Sequence, residues 1–367
     1  MTPQKLLPVD ICSMRTSGRA GFSRRGASAP LQRRLSCGLL LAASAALAQT
    51  WTVQPSTTTV SLRGVSAVSP AVAWVSGAGG TYLRTLDGGA TWQAGAVPGA
   101  ADLDFRVVHA LDSRRAWLVS SGPGAKSRIY RTTDAGAHWS LLLTNPDASG
   151  FFDALAFWDA RRGVALGDPV GGQFVILTTG DGGQTWQRRK LPPALANEGA
   201  FAASNTCLAL RGKREVWFAT GGPSGARVFH SRDGGEHWDV SATPLRHDGP
   251  GAGIFSLAFA DPSRGVAVGG DYGKPADNRG NVAVTSDGGR TWMEPAGSHP
   301  HGYRSAVAYL AARRLWIAVG TSGSDISRDG GQTWKPFDSG SYNAIAVTGD
   351  AVWAVGPAGH IARLSFK

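Results

Sequence analysis

One eight-residue pattern recurs six times along the chain: Ser/Thr-x-Asp-x-Gly-x-(Thr/His)-Trp. Its aspartates are Asp87, Asp134, Asp181, Asp233, Asp287 and Asp329, separated by 47, 47, 52, 54 and 42 residues. Self-similarity at that period means a repeat architecture, most often a ring of small four-stranded sheets. Each copy reads as a tight turn. The aspartate accepts backbone N–H groups inside the turn, and glycine supplies positive φ. The closing tryptophan opens the next strand and packs between sheets. The six aspartates are therefore structural.

The segments between copies fit three more strands each. The second strands read VAWVSG, RAWLVS, GVALGD, EVWFATG, GVAVGGD, RLWIAVG and AVWAVG, which makes seven. Twelve of the 13 tryptophans fall at two registers, in second strands or at the start of fourth strands. The last repeat runs out of chain before its fourth strand. Gln49-Thr50-Trp51 carries the letters that close the copies at Gln184 and Gln332. The reading is an all-β, seven-bladed β-propeller of four-stranded antiparallel blades, with an N-terminal strand completing the last blade and removing two open edges. Blades are expected near 57–96, 103–144, 151–191, 199–242, 252–295, 301–338 and 342–367 with 49–55, in one domain spanning 49–367.

Residues 1–48 read as a signal segment. A basic stretch ending in Arg33-Arg34 precedes an apolar run, and Ala46-Leu47-Ala48 is a small-x-small cleavage site. Export to the periplasm or beyond is the expectation. The formal charge of +11 falls to 30 basic against 25 acidic residues once this segment is removed, too mild an excess for a nucleic-acid binder. Cys12 and Cys37 leave with it. The remaining Cys207 permits no intramolecular disulfide and no cysteine-based zinc site. It reads as a buried small hydrophobe. No cofactor is expected, because the glycine-rich turns join strand to strand and give no dinucleotide fingerprint.

Antiparallel order sorts the loops onto two ends. The two-to-three and blade-to-blade loops share one end and are the longer. They bring Asp168, Glu198, Asp271, Tyr272, Lys274, His301 and Arg304 toward one mouth of the central channel, a candidate binding site. The opposite end carries the repeated turns and a basic arc from the one-to-two loops: Arg114, Arg115, Arg161, Arg162, Arg214, Arg264 and Arg313. An acidic protein surface or anionic lipid would suit that arc.

These motifs resemble the Asp-box (BNR) propellers and, within them, the photosystem II stability/assembly factor-like family. FWDARRGVALGD at 157–168 followed by LTTGDGGQTW at 177–186 is similar to that family's blade. The stretches 167–169, 198–204 and 269–275 resemble a bacterial branch outside photosynthesis. The resemblance implies a non-enzymatic assembly or stability factor or scaffold that binds a protein, such as a subunit of a membrane complex; a monomer is expected. The competing reading is a glycoside hydrolase, sialidase-like or other, working with Asp168, Glu198 and Asp271.

Overall fold

The computed structural model describes residues 48–366. Residues 1–47, which hold most of the expected signal segment with Arg33, Arg34, Cys12 and Cys37, lie outside the described residues. Seven antiparallel sheets follow one another along the chain. Their innermost strands are Leu62–Ala67, Phe105–Ala110, Phe152–Phe157, Leu208–Arg211, Ala252–Phe259, Ala306–Leu310 and Ala344–Thr348, here blades 1 to 7. Each innermost strand contacts that of the next blade, and blade 7 contacts blade 1, so the ring is closed.

Closure works as the sequence predicts. Gln49–Gln54 pairs antiparallel with Ile361–Phe366, placing Trp51 opposite Leu364. The Trp51 indole donates to the Ser324 hydroxyl of blade 6 at 3.0 Å, and its ring lies 5.3 Å from that of Tyr342. Both ends of the described chain are thereby held in one sheet.

The core is divided into seven clusters, one at each blade-to-blade interface. The second strands are buried on both faces, which is why they read as continuous apolar runs rather than alternating ones. Their tryptophans also reach across the interfaces. Trp117 donates to the Gly182 carbonyl at 3.1 Å, and Trp217 to the Gly288 carbonyl at 2.9 Å. Each thus ties a blade to the repeated turn of the next blade.

Blade 5 departs from the four-stranded pattern. Its fourth strand shrinks to a bridge in which Val284 and Met293 exchange two hydrogen bonds. Pro295, two residues on, has no N–H to donate, so the ladder cannot continue.

Four inner strands carry a β-bulge in their first half. The residue skipped by the pairing is Arg63 in blade 1, Arg106 in blade 2, Asp153 in blade 3 and Phe255 in blade 5. A bulge leaves one residue unpaired and turns its side chain out of the strand's alternation. The second strand makes room with glycine. A Cβ on Gly77 would meet the Ser61 carbonyl at 2.6 Å, and one on Gly167 the Phe151 carbonyl at 2.5 Å.

Candidate functional site at the channel mouth

The four bulge residues face one cavity of about 540 Å³ at the long-loop end of the channel. All seven blades contribute. Besides Arg63, Arg106, Asp153 and Phe255 the lining includes Phe201 from the loop entering blade 4, Ser305 and Tyr303 of blade 6, and Asn343 of blade 7. Asp168 and Tyr272 complete it. The bulges are what make this a mouth lined by charged and aromatic side chains instead of a tube of strand residues.

One wall is aromatic. Phe201 and Phe255 stack with centroids 3.9 Å apart, and Tyr303 meets Phe255 edge-on at 4.7 Å. Phe201 is seated by close backbone approach: a Cβ on Gly221 would meet its ring at 2.6 Å. The other wall is charged. Arg106 pairs with Asp104 at 2.8 Å. Arg63 is largely desolvated, which lowers its pKa, and its Nε has no hydrogen-bond partner.

Two carboxyls are starved here. Asp153 is 1% exposed, and neither oxygen makes a hydrogen bond of ordinary geometry. Burial first, and then the neighbouring Asp168, push its pKa well up, against the weaker opposite pulls of the Arg106 charge and of the Ala202 amide. Asp168 accepts one bond, from the Ala200 amide at 2.9 Å, and burial raises its pKa too. Native buried polar groups are normally satisfied, so such an exception points to a missing partner.

A second hollow of about 670 Å³ adjoins the mouth. It shares Asp168, Ala200, Phe201 and Pro250 with the first and runs out along residues 194–199 between blades 3 and 4. Together they form one groove from the channel axis toward the rim. Another cavity, about 600 Å³, opens between blades 5 and 6 beside Met293. Among the described residues lining it no buried polar atom lacks a partner, and only two blades build it.

The long-loop candidates divide accordingly. Asp168 and Tyr272 line the mouth. Glu198 borders the outer groove, but Thr220, the Leu195 amide and Arg227 fill all four acceptor positions of its carboxylate. Asp271 accepts from the Gly273 amide at 2.9 Å and lies 3.4 Å from the Lys274 ammonium, within its own turn. Arg304 is 1% exposed and ion-paired with buried Asp325, which also receives His301 Nδ1 at 3.1 Å. Its neighbour Tyr303, not Arg304, reaches the cavity.

At the other end the charges are mostly spoken for. Asp112 binds Arg115, Asp159 binds Arg162 and Asp261 binds Arg264, each three residues apart in one turn. Arg161 donates to the Gly180 carbonyl, and Arg313 lies over the Phe366 ring at 3.9 Å. Among the described residues Arg114, Arg161 and Arg214 carry no ion pair. The repeated turns are saturated as well. Asp181 accepts from the Thr179 hydroxyl at 2.8 Å, the Thr185 amide at 2.9 Å and the Thr185 hydroxyl at 2.6 Å. The same set recurs at Asp87, Asp287 and Asp329, and at Asp134 and Asp233 with histidine replacing the closing threonine. Cys207 is fully buried, and burial raises its pKa. Among the described residues no group of three or more His, Cys, Asp or Glu side chains is placed to hold a metal.

Fold and turns together define the class: a seven-bladed Asp-box β-propeller. The family described as Photosynthesis system II assembly factor YCF48 matches residues 146–299, and the BNR/Asp-box repeat matches 325–336. The chain is thus a BNR/Asp-box propeller similar to the photosystem II assembly factors. A solved structure of YCF48 bound to D1 peptide is 18% identical, with a TM-score of 0.61, covering 87% of this chain and 97% of that one. YCF48 from Cyanidioschyzon merolae is 19% identical, with a TM-score of 0.60, covering 85% and 98%. A virginiamycin B lyase from Staphylococcus aureus, 12% identical over 86% and 98%, reaches 0.61 on the same scaffold. At such identities the likeness is one of fold. None of the curated proteins compared matches the sequence.

Proposed function

We propose that the protein is an exported, non-enzymatic binding propeller that supports the assembly or stability of another protein, a subunit of a membrane complex, by holding an extended segment of it. The observation that carries this reading is the groove joining the channel mouth to the rim between blades 3 and 4. It is long, open, lined by aromatic rings, and edged by groups that lack partners. Those features suit a chain segment that brings its own donors and acceptors. The D1 peptide bound to YCF48 in its solved structure supports a protein partner, and the signal-like N-terminus supports a periplasmic or secreted setting.

Affinity capture from the native cell envelope tests it. Phe201→Asp is expected to abolish partner recovery, while Arg114→Glu with Arg214→Glu leaves it unchanged. The reverse pattern would move the site to the basic arc, for which an acidic or anionic-lipid surface is the fitting partner.

Glycoside hydrolysis has one observation in its favour: Asp153 and Asp168 face the same aromatic-lined cavity. Glu198 and Asp271 are tied up in their own contacts. Turnover in a glycan screen that disappears in Asp153→Asn would establish that reading instead.

A further inference from the structure

We infer that the floor of the channel mouth seats one positively charged side chain of the bound segment, an arginine or lysine, with Asp153 as its counter-ion and Arg63 Nε taking a carbonyl of the same segment. This rests on the groove reading above and specifies what the groove selects.

Three independent features converge. The first is Asp153 itself, 1% exposed, lining the cavity, with both oxygens lacking a well-formed hydrogen bond. A buried carboxyl without donors is costly, and the groups that satisfy one best are cationic N–H donors. The second is charge balance. Arg63 and Arg106 stand against Asp104, Asp153 and Asp168, and Arg106 is already engaged by Asp104. With all five ionised, one further cation brings the mouth to neutrality. The third is shape. The stacked Phe201–Phe255 pair with Tyr303 edge-on offers apolar faces to the stem of a long basic side chain, and ring faces to its charge. Burial of Asp153 and Asp168 has already raised their pKa values, and a cation placed between them would reverse that shift.

The opposing consideration is repulsion, from Arg106, whose charge acts on Asp153 but is shared with Asp104, and from Arg63. Its single unpartnered Nε is better answered by an acceptor, and a peptide supplies one with every carbonyl. A basic residue in an extended segment therefore satisfies both orphaned groups, which a lone amine or an acidic segment does not.

The test is calorimetric titration of the whole mature chain with three probes. These are an acetylated, amidated Ala-Ala-Arg-Ala-Ala peptide, its citrulline twin and agmatine. Citrulline keeps the shape of arginine and removes the charge. The arginine peptide should bind at least about tenfold more tightly than its twin, the ratio expected of one charge-assisted contact. In Asp153→Asn the two should come within about twofold. Arg63→Met should weaken both peptides alike and keep their ratio, a readout that holds even should the first variant fold poorly. Equal affinity of both peptides in the unmodified protein overturns the cation seat and leaves the groove standing. Agmatine binding without either peptide overturns the peptide source. Silence from all three probes overturns the seat and the groove reading together.

Discussion

Aspartates at the two ends of the channel live opposite lives. At the Asp-box end each carboxylate is exposed or nearly so and accepts a full set of turn hydrogen bonds. Asp87 is held at about 2, first by the Thr91 hydroxyl and then by the Thr91 amide. At the mouth, Asp153 and Asp168 are buried with too few donors, and their pKa values rise. The same side chain builds the scaffold where its bonds are internal, and on the proposed function it is left for recognition where they are missing. Stability should therefore reside in the box end and its tryptophan ties, and selectivity in the mouth.

The largest effect expected from that division is at Trp217. It is fully buried, and its indole ties blade 4 to the box of blade 5. Trp217→Ala should cost about 3–5 kcal/mol in denaturant unfolding. A loss well under that range would break the claim that these ties hold the ring. Next come the two kinds of aspartate. Asp181→Ala should lower the melting temperature and leave partner capture intact, whereas Asp153→Asn should raise stability by about 1 kcal/mol at neutral pH and lose the arginine preference. Equal signs for the two stability changes would erase the comparison.

Proton uptake sharpens it further. A box aspartate with a lowered pKa contributes stability that is complete above the unfolded value of 3.8 and is lost as pH falls through about 2 at Asp87. For Asp153 the folded value is raised, so the native chain holds its proton longer than the unfolded one. Its contribution then declines as pH rises from 3.8 through the raised value. Melting temperatures of Asp153→Asn and the unmodified protein should converge toward acid pH and part toward neutrality. Two buried histidines near the box end act in the acid range. Burial lowers His109 and His230 from 6.5 to about 4, so stability falls as pH drops between those values. His230 stacks on Trp217 at 4.3 Å, and His230→Phe should flatten that limb. The smallest effect is at Ala135, which occupies with φ 72° a turn position that is glycine in the other boxes. Ala135→Gly should stabilise by up to about 1 kcal/mol, read as a small rise in melting temperature.

The scaffold was legible because its rules are local. The Asp-x-Gly turn, the tryptophan after it and the apolar second strand each repeat with their own spacing, and Trp51 could be matched to the missing strand by its neighbours alone. The mouth was legible only in outline. Asp168 and Tyr272 announced themselves through long loops. Arg63, Arg106, Asp153 and Phe255 sit inside strands, where alternation assigns them no such role, and only the bulges turn them into the channel. A faint signal does exist: Arg63, Arg106 and Asp153 each directly follow the large residue that opens their strand, Leu62, Phe105 or Phe152, and Phe255 follows Ile254 inside a longer strand. Glu198 and Arg304 looked exposed by loop position, yet they are locked to Arg227 and Asp325, partners that are distant in sequence. The basic arc looked more open than it is, although its Asp-x-x-Arg pairs were visible at 112–115, 159–162 and 261–264.

The most direct measurement places a photo-crosslinking amino acid at Phe201 in one variant and at Arg114 in another, and irradiates both in the native envelope. A discrete adduct from position 201 with none from position 114 is the predicted result. An adduct from 114 alone would put the partner on the Asp-box end and contradict the account.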